Sequence, residues 1–430
     1  MKIKEFIEDH LAGGNIPSVH NGRFEKDSNG RMKIYYSGPY WDNKEITAAV
    51  TALLDGKWLS SGQEVYQFEK AFSKKFNSES SLMVNSGSSA NLIMMAALKK
   101  FYQWEDGDEI IVSPVGFPTT IAPIVQNGLT PVFVDIETDT LNFCLKEVEK
   151  KISNKTKAII LSPVLGNPPD MDVLVGMCES HGVKLILDNC DSLGSKWKGK
   201  YLNEYACAAS CSFYPAHHIS TAEGGMVSGP KELVDLARSF AWWGRDCYCV
   251  GPANLLECGT CGKRFDKWLP GYEGEVDHKY IFTNMGYNVK PLDLQGAIGL
   301  VQLDKFEEIH TNRRESKSVL GDILNKYEGI RVPTELPNAH TSWFGTPVIC
   351  KESIKEKLVS HLEEHGIQTR PYFAGNILMH PGYKHLGTYS DYIEASKVLS
   401  KVFFIGASPH YNEAVFSYVE EVMEKFKGGS

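Results

Sequence analysis

The stretch Ser212-Phe-Tyr-Pro-Ala-His-His-Ile-Ser-Thr-Ala-Glu-Gly-Gly-Met-Val227 decides how the rest of the chain reads. Adjacent side chains leave the backbone in different directions, so His217 and His218 cannot both face one site. An imidazole moves protons near neutral pH, although a lone histidine is also a common structural group. A strand before this stretch and the Glu-Gly-Gly run after it favour His217 as the group facing a site, with His218 structural. Upstream, residues 80–230 alternate short apolar runs with helical patterns. Strands are expected at 81–84, 109–112, 132–134, 158–161 and 184–187, with helices over 90–102 and 172–181 among them. Strands buried on both faces, with helices between them, predict an α/β fold built on a mostly parallel sheet.

Asp188 closes the last of those strands, where open α/β sheets bind ligands. A turn aspartate is the competing reading. Asn85-Ser-Gly-Ser-Ser-Ala90 follows a strand and opens a helix, a geometry that offers N–H groups and hydroxyls to a phosphate. Residues 240–290 carry little periodicity and are rich in Gly, Pro, Trp and Tyr. A long helical pattern then runs from near Pro291, whose ring suits a first turn, toward residue 328. A strand over 343–350 and helices near 354–365 and 392–403 suggest a smaller α+β unit. The expected division is an arm over 1–40, a large domain over 41–290 and the long helix with a small domain over 291–430.

The 430 residues suit two domains of unequal size, and 42% apolar with 23% charged residues is ordinary for a soluble protein. A net charge of −8 argues against a nucleic-acid-binding surface. No apolar run approaches the ~20 residues that span a bilayer. The charged N-terminus lacks a signal-peptide core, and Ile3, Phe6, Ile7 and Leu11 fit one face of a short helix. A cytoplasmic protein is expected. Its ten cysteines are then free thiols rather than disulfides. Cys144, Cys178, Cys207, Cys211 and Cys350 lie in apolar or strand-like surroundings. Cys247, Cys249, Cys258 and Cys261 do not, and their close spacing could form a four-cysteine zinc site.

The 212–227 stretch resembles the DegT-type sugar aminotransferases, in which Ser-Phe-x-Pro-x-Lys leads into Glu-Gly-Gly. His217 stands at the position of the lysine that forms a Schiff base with pyridoxal phosphate. With Cys190 in Leu-Asp-Asn-Cys-Asp-Ser-Leu-Gly and the later cysteines, the chain is similar to iron–sulfur 3-dehydrases that make 3,6-dideoxysugars. The likeness runs from about residue 48 to about residue 376. It implies the aspartate aminotransferase fold and pyridoxamine phosphate (PMP) held without a covalent bond. Gly87, Ser88 and Ser212 would bind its phosphate, Phe117 would stack on its ring and Asp188 would pair with its pyridine nitrogen. Asn288 would reach the phosphate from the partner subunit of a homodimer. A 2Fe–2S cluster would be held by Cys190, Cys247, Cys249 and Cys261, with Cys190 replacing the Cys258 of the zinc arrangement.

The reaction so implied is removal of the carbon-3 hydroxyl of a nucleotide-linked 4-keto-6-deoxyhexose, CDP being the expected nucleotide. His217 would move the proton at the cofactor's 4′ carbon, and a separate flavin/iron–sulfur reductase would feed electrons through the cluster. Two rivals are a cluster-free, glutamate-using dehydratase of the colitose type and a catalytically dead sensor of sugar or cofactor.

Overall fold

The computed structural model describes residues 5–7, 9, 24–56, 58–247, 265 and 269–426. Its main sheet has seven strands: β1 (Ser80–Val84), β2 (Glu109–Val112), β3 (Thr130–Phe133), β4 (Thr156–Leu161), β5 (Lys184–Asp188), β6 (Ala208–Ser212) and β7 (Gly225–Gly229). They lie in the order β1-β7-β6-β5-β4-β2-β3. The pairs β2–β3, β2–β4, β4–β5 and β5–β6 are parallel. Only β7 reverses, running antiparallel to β6 and β1 directly after the Glu-Gly-Gly run. The mostly parallel α/β sheet expected from the sequence is present.

Around it run α1 (Asn43–Asp55), α2 (Gln63–Lys75), α3 (Gly87–Phe101), α4 (Pro118–Gln126), α5 (Leu145–Lys151), α6 (Met171–His181) and α7 (Lys231–Ala241). Alternate residues of each strand enter different cores. Ile110, Ala158, Ile160, Ile186 and Ala208 pack with α3, α4 and α7. Ile111, Ile159, Leu161, Leu185 and Leu187 pack with Met171, Leu174 and Met177 of α6. A sheet covered on both faces therefore requires uninterrupted apolar strands, which is the pattern in the sequence.

The long helix α8 (Asp293–Leu324) joins two structural units. Leu303, Phe306 and Ile309 pack with Phe68 and Phe72 of α2 and with Phe76, which caps it. Leu320, Ile323 and Leu324 enter the core of the second unit. Pro291 lies outside the helix, a correction to its expected place in the first turn. Its carbonyl instead takes the N–H of Ser61 at 3.1 Å. The second unit is an antiparallel sheet, β8 (Ile330–Arg331), β9 (Gly345–Cys350), β10 (Thr369–Pro371) and β11 (Val402–Gly406), in the order β8-β9-β11-β10. It carries α9 (Glu352–Glu364), α10 (Ile393–Lys401) and α11 (Glu413–Glu424).

Within the expected arm, Met32 and Ile34 are buried against this unit, and Ile34 bridges to Ile367. Residues 5–7 and 9 are helical, but Phe6 is exposed while Ile7 is buried, so the two do not share a buried face. Among the described residues no helix is long and apolar enough to cross a membrane.

Candidate active site

A cavity of about 410 Å³ lies at the carboxyl ends of β5 and β6. Gly87 and Ser88 at the start of α3, Phe117 before α4, and Asp188, Cys190, Ser212 and His217 from the sheet edge all line it. Phe344 and Phe373 close it from the second unit. Segments distant in sequence thus converge on one concave site.

Ser86 has an extended backbone and its Oγ accepts from the Ser89 N–H at 3.1 Å, starting α3 beside Ser212. A Cβ on Gly87 would come 2.5 Å from Ser212 Cβ, so only glycine lets β6 and the first turn of α3 meet. Gly225 works similarly from β7: its Cβ would lie 2.3 Å from the Ser86 carbonyl oxygen. The close approach gathers the first N–H groups of a 15-residue helix and the Ser88 and Ser212 hydroxyls at one point. That arrangement suits a phosphate.

Asp188 is buried rather than in an exposed turn. Its Oδ2 accepts from Asn91 Nδ2 at 2.9 Å and from Thr120 Oγ1 at 2.6 Å. Its Oδ1 takes the Cys190 N–H at 3.3 Å, and Ser210 Oγ donates to Asn91 Oδ1 at 2.6 Å. These hydrogen bonds fix the orientation of the carboxylate on the cavity wall. Phe117 is 54% exposed and meets Phe373 edge-on at 6.2 Å, so it is not a core residue.

The His217 ring packs at 5.0 Å from the Phe344 ring. Arg313 of α8, itself buried, donates to the carbonyls of Ala216 at 3.0 Å, His217 at 2.9 Å and Phe344 at 2.9 Å. Burial first, then the Arg313 charge, push the imidazole down to about 3, against a hydrogen bond to the Cys190 backbone. His217 Nδ1 has no hydrogen-bond partner and lies 3.7 Å from Asp191 Oδ1. Burial and the nearby Asp188 raise the Asp191 carboxyl to about 7, against a Leu165 N–H and Arg313. His217 is therefore neutral at neutral pH, its unpartnered Nδ1 buried in the site. His218 turns elsewhere, its ring Nε2 meeting the Ser342 carbonyl at 3.0 Å.

Asn288 is exposed, bridges to Trp242 and accepts from Lys290 Nζ; it is not part of the cavity wall. Cys190 is in that wall, its thiol pushed well up by burial and by Asp188. Cys247 is buried, while Cys249, Cys258 and Cys261 lie outside the described residues. Among the described residues no three His, Cys, Asp or Glu side chains are grouped to hold a metal ion. Cys178, Cys211 and Cys350 are buried core thiols, as expected, whereas Cys144 and Cys207 are only partly buried.

Sequence reading missed Asn91, Thr120, Asp191, Phe344 and Arg313. Asn91 carried a faint signal, standing one helical turn beyond Gly87 on α3, and Asp191 shares the turn after Asp188. Arg313 and Phe344 carried none, because they reach the site from distant segments.

A family model for the DegT/DnrJ/EryC1/StrS aminotransferase family matches residues 41–426. The chain belongs to this family. It is 36% identical over 411 residues to the dTDP-4-dehydro-2,6-dideoxy-D-glucose 3-dehydratase of Saccharopolyspora spinosa, covering 92% of this chain and 87% of that protein. It is 35% identical over 369 residues to the GDP-4-keto-6-deoxy-D-mannose 3-dehydratase of Yersinia pseudotuberculosis, with 83% and 88% covered. The solved E. coli GDP-4-keto-6-deoxy-D-mannose-3-dehydratase with bound hydrated PLP superposes with a TM-score of 0.80 at 30% identity, covering 91% of this chain and 99% of that one. A Helicobacter pylori aminotransferase, PseC, at 23% identity and a TM-score of 0.78, shares the fold. The aminotransferase-like architecture expected from the sequence is thus that of the family.

The cavity fits a pyridoxal-type group on its own chemistry. It offers a helix N-terminus with two hydroxyls, an exposed aromatic face and a buried, hydrogen-bonded carboxylate.

Proposed function

We propose that this protein is a PMP-dependent 3-dehydrase that removes the carbon-3 hydroxyl of a nucleotide-linked 4-keto-6-deoxyhexose. The carrying observation is that the imidazole of His217 stands in the cavity wall, and no lysine does among the described residues that line it. When bound, the cofactor supplies an amine for the sugar ketone and a ring that withdraws electrons. Asp188, set by Asn91 and Thr120, would hold the ring nitrogen, Phe117 would cover the ring, and Gly87, Ser88 and Ser212 would take the phosphate. His217, neutral and pinned through Arg313, would move the proton at the cofactor's 4′ carbon.

The finer reading adds a 2Fe–2S cluster on Cys190, Cys247, Cys249 and Cys261, fed by a separate flavin/iron–sulfur reductase, in a cytoplasmic enzyme with CDP as the nucleotide. It is supported by the cysteine pattern and by Cys190 in the cavity wall two residues from Asp188. Ligation would remove the Cys190 thiol proton, which the metal's charge favours. A homodimer with Asn288 supplied across the interface fits two features. Asn288 stands outside its own chain's cavity, and Leu53, Leu54, Trp58, Leu59 and Leu292 are exposed apolar side chains.

Relatives named as GDP-4-keto-6-deoxy-D-mannose 3-dehydratases, together with a solved one that holds a trapped PLP-glutamate geminal diamine, favour a second reading, the cluster-free, glutamate-using dehydratase. Iron, sulfide and visible absorbance of anaerobically purified protein decide between them. The cluster reading expects near-equal iron and sulfide and a visible chromophore, which Cys190→Ser disrupts and Cys258→Ser retains. A zinc site expects the reverse dependence and no chromophore, and the glutamate-using reading expects neither metal.

A further inference from the structure

We propose that residues 34–42 form a strap that aims the loop carrying His217, with Ser37 and Trp41 as positioning residues. The proposal rests on the reading of His217 as the proton-moving group. The strap is anchored first on the second unit. Ile34 donates its N–H to the Gly366 carbonyl at 2.8 Å, and its own carbonyl takes the Gln368 N–H at 2.9 Å. The Tyr36 N–H donates to Gln368 Oε1 at 3.2 Å, and the Tyr411 hydroxyl donates to the Tyr35 carbonyl at 2.7 Å. At its far end Asp42 caps α1 through a capping box with Glu45. Between these anchors Tyr36 lines the cofactor cavity.

Two strap side chains reach the loop on either side of His217. Ser37 Oγ donates to the Ala216 carbonyl at 2.8 Å, and Trp41 Nε1 donates to the Ser220 carbonyl at 3.1 Å. Helix α8 holds the same residues: Arg313 donates to Ala216 and His217, and Gln302 Oε1 accepts the Ser220 N–H at 3.0 Å. Gln302 also ties the helix to the strap, its Nε2 donating to the Tyr40 carbonyl at 2.9 Å and to the buried Glu45 at 2.7 Å. Beyond the second clamp, Ala222 has a φ of +69°, and such backbone persists only where its surroundings fix it.

This framing matters because His217 Nδ1 has no hydrogen-bond partner of its own. The aim of that nitrogen falls to the backbone that carries the ring and to the packing of Phe344. A misplacement of about 1 Å in a reacting group can cost ~10²-fold in rate. The rival role is simple attachment of the arm to the body of the protein. Lys26 provides that comparison, since it pairs with Glu421 of α11, distant in sequence from the clamped loop.

Ser37→Ala and Trp41→Phe each remove one donor and keep most of the side chain, so both variants are suited to a test on the full-length protein. Diethyl pyrocarbonate, added before the cofactor and mapped by mass spectrometry, reports how far the His217 ring is held, with the exposed His385 as reference. The double variant should modify His217 at least about threefold faster than the wild type does, relative to His385. With cofactor bound, exchange of its 4′ proton should slow about threefold in each single variant and at least about tenfold in the double, while the cofactor dissociation constant stays within about twofold. Wild-type reactivity and exchange in the double variant overturn the inference, as does faster modification with unchanged exchange. Lys26→Ala producing the same losses overturns it too, in favour of simple attachment. If the double variant does not fold, the single variants carry the same comparison. A wild-type protein that exchanges no 4′ proton removes the proposed function, and the pyrocarbonate comparison still decides whether the strap holds the loop.

Discussion

His217 is held in a setting that disfavours its charged form, because it is buried and shares its surroundings with the Arg313 guanidinium. Such a histidine rests deprotonated, as a general base must, but its proton affinity is low, and catalysis is best served by a value near the operating pH. His217→Asn is expected to slow exchange of the cofactor's 4′ proton by ~10²–10⁴ while the cofactor stays bound. Borohydride reduction followed by peptide mapping should leave position 217 unmodified; a covalent cofactor adduct there would refute the noncovalent reading. Asp188 depends on its donors in the same way. Asn91→Ala removes a charge-assisted bond worth about 1.5–3 kcal/mol. It should therefore weaken cofactor retention by about tenfold or more, read as loss of the cofactor band on dilution. An unchanged dissociation constant would show that Thr120 alone positions the carboxylate.

Two elements meet at Gly87, where the start of α3 abuts the end of β6. Gly87→Ala places a methyl group 2.5 Å from Ser212 Cβ, and neither a helix start nor a central strand yields easily. A destabilisation of about 1–3 kcal/mol is expected, together with weaker phosphate binding, measured by denaturant midpoint and by cofactor titration. A variant as stable as the wild type would mean that the two elements can separate freely. Helix α8 shows the opposite strategy, in which one long side chain, Arg313, ties down two loops through three carbonyls. Arg313→Met strips the His217 and Phe344 carbonyls of this donor, while Ala216 keeps Ser37 Oγ at 2.8 Å, and should cost at least about 2 kcal/mol. Some element boundaries followed local pattern, β2 spanning 109–112 as expected and α6 differing by one residue, whereas β3 and β4 begin two residues and α3 three residues before their expected starts. Pro291 misled because a proline suits either a first helical turn or the extended approach to one. The contact of its carbonyl with Ser61, not its ring, decided between them.

At the scale of the whole molecule, α8 links both units, and its His310 gives their packing a pH dependence. Burial, followed by the charges of His340 and Arg314, holds His310 down to about 4. A histidine in the unfolded chain titrates near ~6.5. As pH falls from about 6.5 to about 4, the unfolded chain takes up a proton that the folded chain refuses, so stability is lost by up to about 1.4 kcal/mol per pH unit. Above about 6.5 the term vanishes. Denaturant midpoints between pH 7.5 and 4.5 should fall with acid, and His310→Gln should flatten that slope even if the variant is less stable throughout. Equal slopes in the two proteins would remove His310 from the account. By itself the sequence determined the strands, the helices between them, and the places where chemistry stands at their ends: Asp188, the 85–90 turn and the histidine pair. These are legible because apolar period, turn residues and strand-end polarity are written within a few consecutive positions. Only the tertiary structure decided that Asn91 and Thr120 share Asp188, that Arg313 holds His217, and that Ser37 and Trp41 reach the same loop from the arm. Those pairings depend on strand order and on where α8 crosses the sheet, and no local window of sequence carries that information.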